Sequence, residues 1–256
     1  MKTLTLTLIG LLLVPLACLS YMVWFNYSVD TSEYNYSQFT ASQYTHGTFE
    51  GPTVGESSVD FTLLDVEGNK HSLQEYAGKY VVIETGSLTC PQYVSWIDPM
   101  NALMEKHPDV AFLTIYVREA HPGSNVASHS SLKEKLALAG RLRNEENESR
   151  PILVDTLEGD MHRSYGAWPN MVYVVAPDGE VAFRGLWNNA DLLEEVVKQL
   201  KSGQLVNGLK PKSSPNALLI LVDMFSNSTT KRVLSRAGGH ATSDFILGGL
   251  ASLLLY

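Results

Sequence analysis

An α/β domain, with a mixed central sheet flanked by helices, is predicted for residues 51–204 of this 256-residue chain. Three observations predict it. Residues 80–84 (YVVIE) and 110–117 (VAFLTIYV) are continuous apolar, β-branched runs, as buried parallel strands should be. Between them Tyr93, Ile97, Met100 and Met104 recur at helical spacing. The region closes with strand 171–175, the turn Ala176-Pro177-Asp178-Gly179 and strand 180–184. An apolar helical stripe at Leu192, Leu193, Val196, Val197 and Leu200 follows.

Taken in order, residues 59–63 alternate apolar and polar, residues 65–69 are a turn, and residues 70–73 return as a hairpin. Ser72-Leu73-Gln74-Glu75 has the spacing of a capped helical turn. After the two long strands, Ser130 is placed to cap a helix carrying Leu132, Leu136, Ala139 and Leu142. Residues 151–155 are a third short strand, and residues 160–165 one or two helical turns. Strand-helix-strand units that end in a hairpin and a helix put helices on both sheet faces. That order is the order of the thioredoxin-like fold.

Outside this region composition changes. Residues 3–25 carry no charge and are long enough to cross a bilayer core of about 30 Å. Tyr21, Trp24 and Phe25 stand at their far end, where interfacial aromatics belong. Residues 1–27 therefore read as a single-pass membrane anchor rather than a cleaved signal peptide. Lys2 ahead of the span favours an extracytoplasmic or luminal domain. Residues 28–50, rich in Tyr, Ser, Thr, Asn and Gln, read as a linker. Residues 205–256 form a tail whose apolar runs, 217–225 and 245–256, are each too short to span a membrane. The tail would dock on the core, lie on a membrane or face a partner.

A net charge of −8 speaks against nucleic-acid binding, which wants a basic face. With only Cys18 and Cys90 there is no disulfide framework and no resolving cysteine beside Cys90. Four Asn-x-Ser/Thr sequons occur, at Asn26, Asn35, Asn147 and Asn227.

The chemistry concentrates at Gly86-Ser87-Leu88-Thr89-Cys90-Pro91, where a strand gives way to a helix. A thiolate is the nucleophile, so such a site must hold the cysteine pKa down. A helix N-terminus helps through its dipole and free N–H groups, and Pro91 suits the first helical position. Ser87 and Thr89 supply hydroxyls. His121 closes the next strand and would serve as proton donor or cationic partner, with Glu119 steering it. His129 leaves the same edge as a candidate substrate contact. Trp168-Pro169 precedes the strand at 171–175, and a cis bond there would expose backbone to an extended substrate or reductant. No ligand spacing for a metal is seen. The bland alternative is a buried, inert cysteine among ordinary loop histidines.

These residues resemble the iodothyronine deiodinases. Gly86, Ser87, Thr89 and Pro91 match that family's lead around its selenocysteine, which is Cys90 here. Glu119-Ala120-His121-Pro122 matches its Glu-Ala-His-Pro, and His129, Ser131 and Leu132 match its His-x-Ser-Leu. The resemblance covers about residues 61–200. It implies a thioredoxin-like, membrane-anchored oxidoreductase that removes iodine through nucleophilic Cys90. It implies no bound cofactor, an external thiol reductant, an iodinated aromatic substrate and a homodimer. Departures are Met171, where the family has an arginine implicated in hormone binding, and Gly185-Leu186-Trp187-Asn188 in place of a Gly-rich segment. The rivals are a thiol-dependent peroxidase and a non-catalytic binding module. The peroxidase pattern Pro-x-x-x-Thr-x-x-Cys is not met, since Ile83 and Ser87 stand at its first two fixed positions.

Overall fold

The computed structural model describes residues 20, 34–40, 50–168, 170–204, 206, 222 and 226–247. The expected membrane anchor apart from residue 20, Pro169 and most of the apolar run 217–225 lie outside the described residues. Among the described residues no helix is long and apolar enough to cross a membrane.

Among the described residues seven strands make one sheet: β1 (Thr62–Asp65), β2 (Lys70–Ser72), β3 (Val81–Gly86), β4 (Ala111–Tyr116), β5 (Ile152–Val154), β6 (Val172–Val175) and β7 (Val181–Gly185). Their spatial order is β2-β1-β5-β4-β3-β6-β7. β3, β4 and β5 run parallel, while β6, β7, β1 and β2 pair antiparallel. This is the predicted mixed sheet. Every residue of β3 is buried, since helices cover both faces, and its run is apolar up to Ile83 before Glu84 and Thr85.

Helix α1 (Pro91–Lys106) starts at Pro91 with Cys90 as its N-cap residue. Pro99 lies inside it without ending it. Helix α2 (Leu132–Glu146) is capped by Ser131, whose side chain accepts from Glu134 N, one residue later than Ser130. α3 (Asp160–Ser164) is a single turn, and α4 (Ala190–Lys201) carries the predicted apolar stripe. The capped turn at Ser72 is a 3₁₀ helix (Leu73–Tyr76), with Ser72 N donating to Glu75 Oε1 at 2.8 Å.

Two peripheral pieces complete the domain. Residues 34–40, counted with the linker on composition, bury Tyr34, Tyr36, Phe39 and Thr40 against the core. In the tail, helix α5 (Ser228–Ala237) packs on α1, and residues 241–247 form another helical stretch. The described part of the tail, residues 226–247, thus docks on the domain, while most of the apolar runs 217–225 and 245–256 lies outside the described residues.

Candidate active site

The parallel register aligns Gly86 with Tyr116, and Tyr116 with Val154, so β3, β4 and β5 end together. The loops after β3 and β4 are then stitched to one another. Ala120 N donates to Ser87 Oγ at 3.1 Å, and His121 N donates to Thr89 Oγ1 at 3.1 Å. Ser87 and Thr89 therefore fix the segment that carries His121 beside the turn that carries Cys90.

Glu119 is the hub. One carboxylate oxygen accepts from Thr89 N (2.9 Å) and Thr89 Oγ1 (2.6 Å). The other meets Tyr116 OH and, at 3.1 Å, His129 Nε2. Burial pushes this carboxyl up, but His129, Thr89 and Tyr116 more than offset it, and the net shift is downward. Glu119 thus steers Thr89 and His129, not the His121 ring as expected. His129 faces this carboxylate within a closed network. Tyr116 was not singled out in the sequence; its place as the last residue of β4 was the signal available.

Cys90 is 3 % exposed, and its thiol is pushed up to about 12. Desolvation by burial is the largest cause, and Glu84 and Glu119 add to it. The N–H groups of Tyr93 and Gln92 pull the other way, as a helix N-terminus should, but do not win. The expected low pKa is absent from this closed arrangement. His121 is also buried, and desolvation holds it at about 3, so it is neutral and not the cationic partner anticipated. Its Nδ1 is buried without a hydrogen-bond partner among the described residues. Phe39 and Phe245 pack edge-on against the ring at centroid distances of 4.4 and 5.1 Å.

Trp168 is buried against Trp187, and its carbonyl accepts from His162 Nε2 at 2.5 Å. The Trp168–Pro169 bond lies outside the described residues. Met171 is fully buried, its N–H bonded to Thr85 Oγ1 at 2.9 Å and its sulfur taking the Trp168 N–H.

Behind Cys90 lies a buried ion network. Arg150 donates to Glu84 (2.5 Å) and to Glu148 (2.8 and 2.6 Å). Asn188 and Asn170 also donate to Glu84, at 2.7 and 3.1 Å, and Tyr93 OH donates to Glu148 at 2.5 Å. Burial is the largest influence on Glu84 and leaves its carboxyl raised. Burial also pushes Glu148 up, but Arg150 more than reverses it. A lone acidic residue in an apolar strand was the only sequence signal for this network.

The family model described as iodothyronine deiodinase matches residues 34–201. The chain belongs to the iodothyronine deiodinase family. A type I iodothyronine deiodinase of Xenopus laevis is 29% identical over 143 residues, covering 52% of this chain and 56% of that one. A thyroxine 5-deiodinase of Sus scrofa is 29% identical over 147 residues, covering 53% and 47%. The chain spans about half the length of these curated relatives. Among solved structures, a hypothetical protein from Sinorhizobium meliloti 1021 superposes with a TM-score of 0.53 at 17% identity, covering 63% of this chain and 91% of that one. That likeness shows the fold. The deiodinase match begins at Tyr34, so the strap at 34–40 belongs to the family domain, whereas helix α5 lies beyond it.

Proposed function

We propose that this chain is a thiol-dependent reductive dehalogenase working through Cys90. The observation that carries the reading is the meeting, at one sheet edge, of a cysteine capping a helix and a histidine with a buried, unpartnered Nδ1. An unpaired buried acceptor or donor is costly, and a substrate hydroxyl would relieve it.

In this reading the open site releases the thiol from desolvation. The Cys90 thiolate attacks iodine on an aromatic carbon, the carbon–iodine bond breaks, and a sulfenyl iodide forms. The ring carbon takes a proton relayed through His121. Two equivalents of an external thiol then convert the sulfenyl iodide to thiol plus iodide, and are themselves oxidised to a disulfide. Glu119, Thr89 and Ser87 hold the two loops in register. Supporting the iodinated-aromatic choice is family membership; against a free thyroid hormone stands the burial of Met171 where the family arginine would face substrate. His129, Trp168 and Pro169 remain the candidate substrate contacts. The reading further places residues 1–27 as a membrane anchor, with the domain extracytoplasmic or luminal and the protein a homodimer. No bound cofactor is required.

The test offers the purified full chain iodotyrosine, iodothyronine and hydrogen peroxide in turn, each with dithiothreitol. Iodide release that disappears in Cys90→Ser is the expected result. Peroxide turnover without iodide release, also lost in Cys90→Ser, would instead identify a thiol peroxidase.

A further inference from the structure

Cys90 is buried, so a reagent reaches its thiol only if something moves, and the described residues show two segments lying over this edge. Two segments from opposite ends of the chain meet over Cys90 and His121. From the N-terminal side, Tyr36 OH bonds Ala120 O at 2.9 Å, Asn35 Nδ2 bonds His129 O at 2.5 Å, and Phe39 lies on the His121 ring. From the tail, Arg236 Nη2 bonds Leu88 O at 2.6 Å, two residues before Cys90. Asn125 N and Val126 N both donate to Ala237 O, at 2.8 and 3.2 Å. Phe245 also packs against the His121 ring. Among the described residues the two segments touch through a polar contact, Gln38 Nε2 donating to Asp244 Oδ1 at 3.0 Å.

We propose that residues 34–40 and the tail 228–247 are the two halves of a lid, latched by Gln38 and Asp244, that must part before any reagent or substrate reaches Cys90. The N-terminal half lies within the family match and the tail half outside it. A pivot exists: Gly238 and Gly239, with φ of 76° and 57°, separate α5 from the stretch bearing Phe245. Such backbone is easy for glycine and strained for other residues. Gly238 O also sits where a Cβ on Gly123 would be, 2.2 Å away, so the docked tail needs glycine there. Gln38 is exposed, and Asp244 is buried and shared with His240 at 2.5 Å, so the latch sits at the rim where solvent competes.

The lid is tested by alkylating the full chain with iodoacetamide and following Cys90 by peptide mass mapping, which separates it from Cys18. Gln38→Glu sets a second carboxylate against Asp244. It should raise the Cys90 alkylation rate about tenfold, the size of one lost hydrogen bond to a charged group. Gln38→Glu combined with Asp244→Asn restores a donor and acceptor and should return the rate to that of the parent. In the parent protein, hydrogen exchange should show peptides 34–40 and 226–247 losing protection together, well before β3 and β4. Equal alkylation rates in all three proteins would overturn the proposal. So would a rise in Gln38→Glu that the second substitution fails to reverse, or peripheral segments protected as strongly as the central strands. These readouts do not depend on the substrate, so the lid and the dehalogenase reading stand or fall separately.

Discussion

Glu119→Gln is the most informative single substitution, because it keeps the shape of the hub and removes its charge. The carboxylate accepts from four donors: Thr89 N, Thr89 Oγ1, Tyr116 OH and His129 Nε2. An amide has one acceptor oxygen. Turning that oxygen to Thr89 keeps the backbone N–H satisfied, since a backbone donor cannot change role. The amide NH₂ then faces Tyr116 and His129, where the hydroxyl can turn to accept and the imidazole can change tautomer. The Tyr116 O–H and the His129 ring N–H then lose their carboxylate acceptor, and charge-assisted bonds become neutral ones, each weaker by about 1 kcal/mol. Relief from burying a charge offsets part of that. The expected net loss is about 2–3 kcal/mol, which lowers the thermal midpoint by about 5–10 °C for a chain of this size. Glu119 also helps to hold the Cys90 thiol up. Its neutralisation should therefore move the pH profile of Cys90 alkylation to lower pH. Circular dichroism melting and the alkylation profile check the two effects. A midpoint within about 1 °C of the parent, with an unmoved profile, would refute the hub argument.

Three further predictions follow from other parts of the molecule. Arg150→Met strands Glu84 and Glu148 in the core and should cost about 3–5 kcal/mol, read as a fall in the urea midpoint. Gly159→Ala should be destabilising beyond an ordinary surface change, because φ is 74° and a Cβ would lie 2.0 Å from the Tyr34 ring; thermal melting of this variant and of Gly159→Ala/Tyr34→Ala separates backbone strain from the clash. His121 gives an acid limb. The unfolded chain takes up its proton near pH 6.5, while the folded protein resists until about pH 3, so stability is lost as pH falls through that window. The slope is about 1.4 kcal/mol per pH unit for that histidine, and urea titrations of His121→Gln should show a limb shallower by one proton.

Much of this was legible in order along the chain. Strands β3 and β4 announce themselves because a strand buried on both faces is mostly apolar, and the final hairpin because Pro177-Asp178-Gly179 is turn chemistry. Cys90 and His121 stand out by position at strand ends. Residues 34–40 were misleading for a physical reason. Tyr34, Tyr36 and Phe39 are buried by contacts more than eighty residues away, which leave no local period to read.

The sequence by itself determined the α/β order, the sheet edge where Cys90 and His121 would meet, and the family resemblance. Each depends on local pattern or on motifs within a few residues. Only the tertiary structure decided their state. It paired Glu119 with Thr89 and His129, set Arg150 between two carboxylates, and folded Phe39 and Phe245 over the imidazole. The pKa values of Cys90 and His121 follow from that burial. Burial is a property of the whole packed chain, so a nucleophile legible in the sequence emerges in the structure as one under cover.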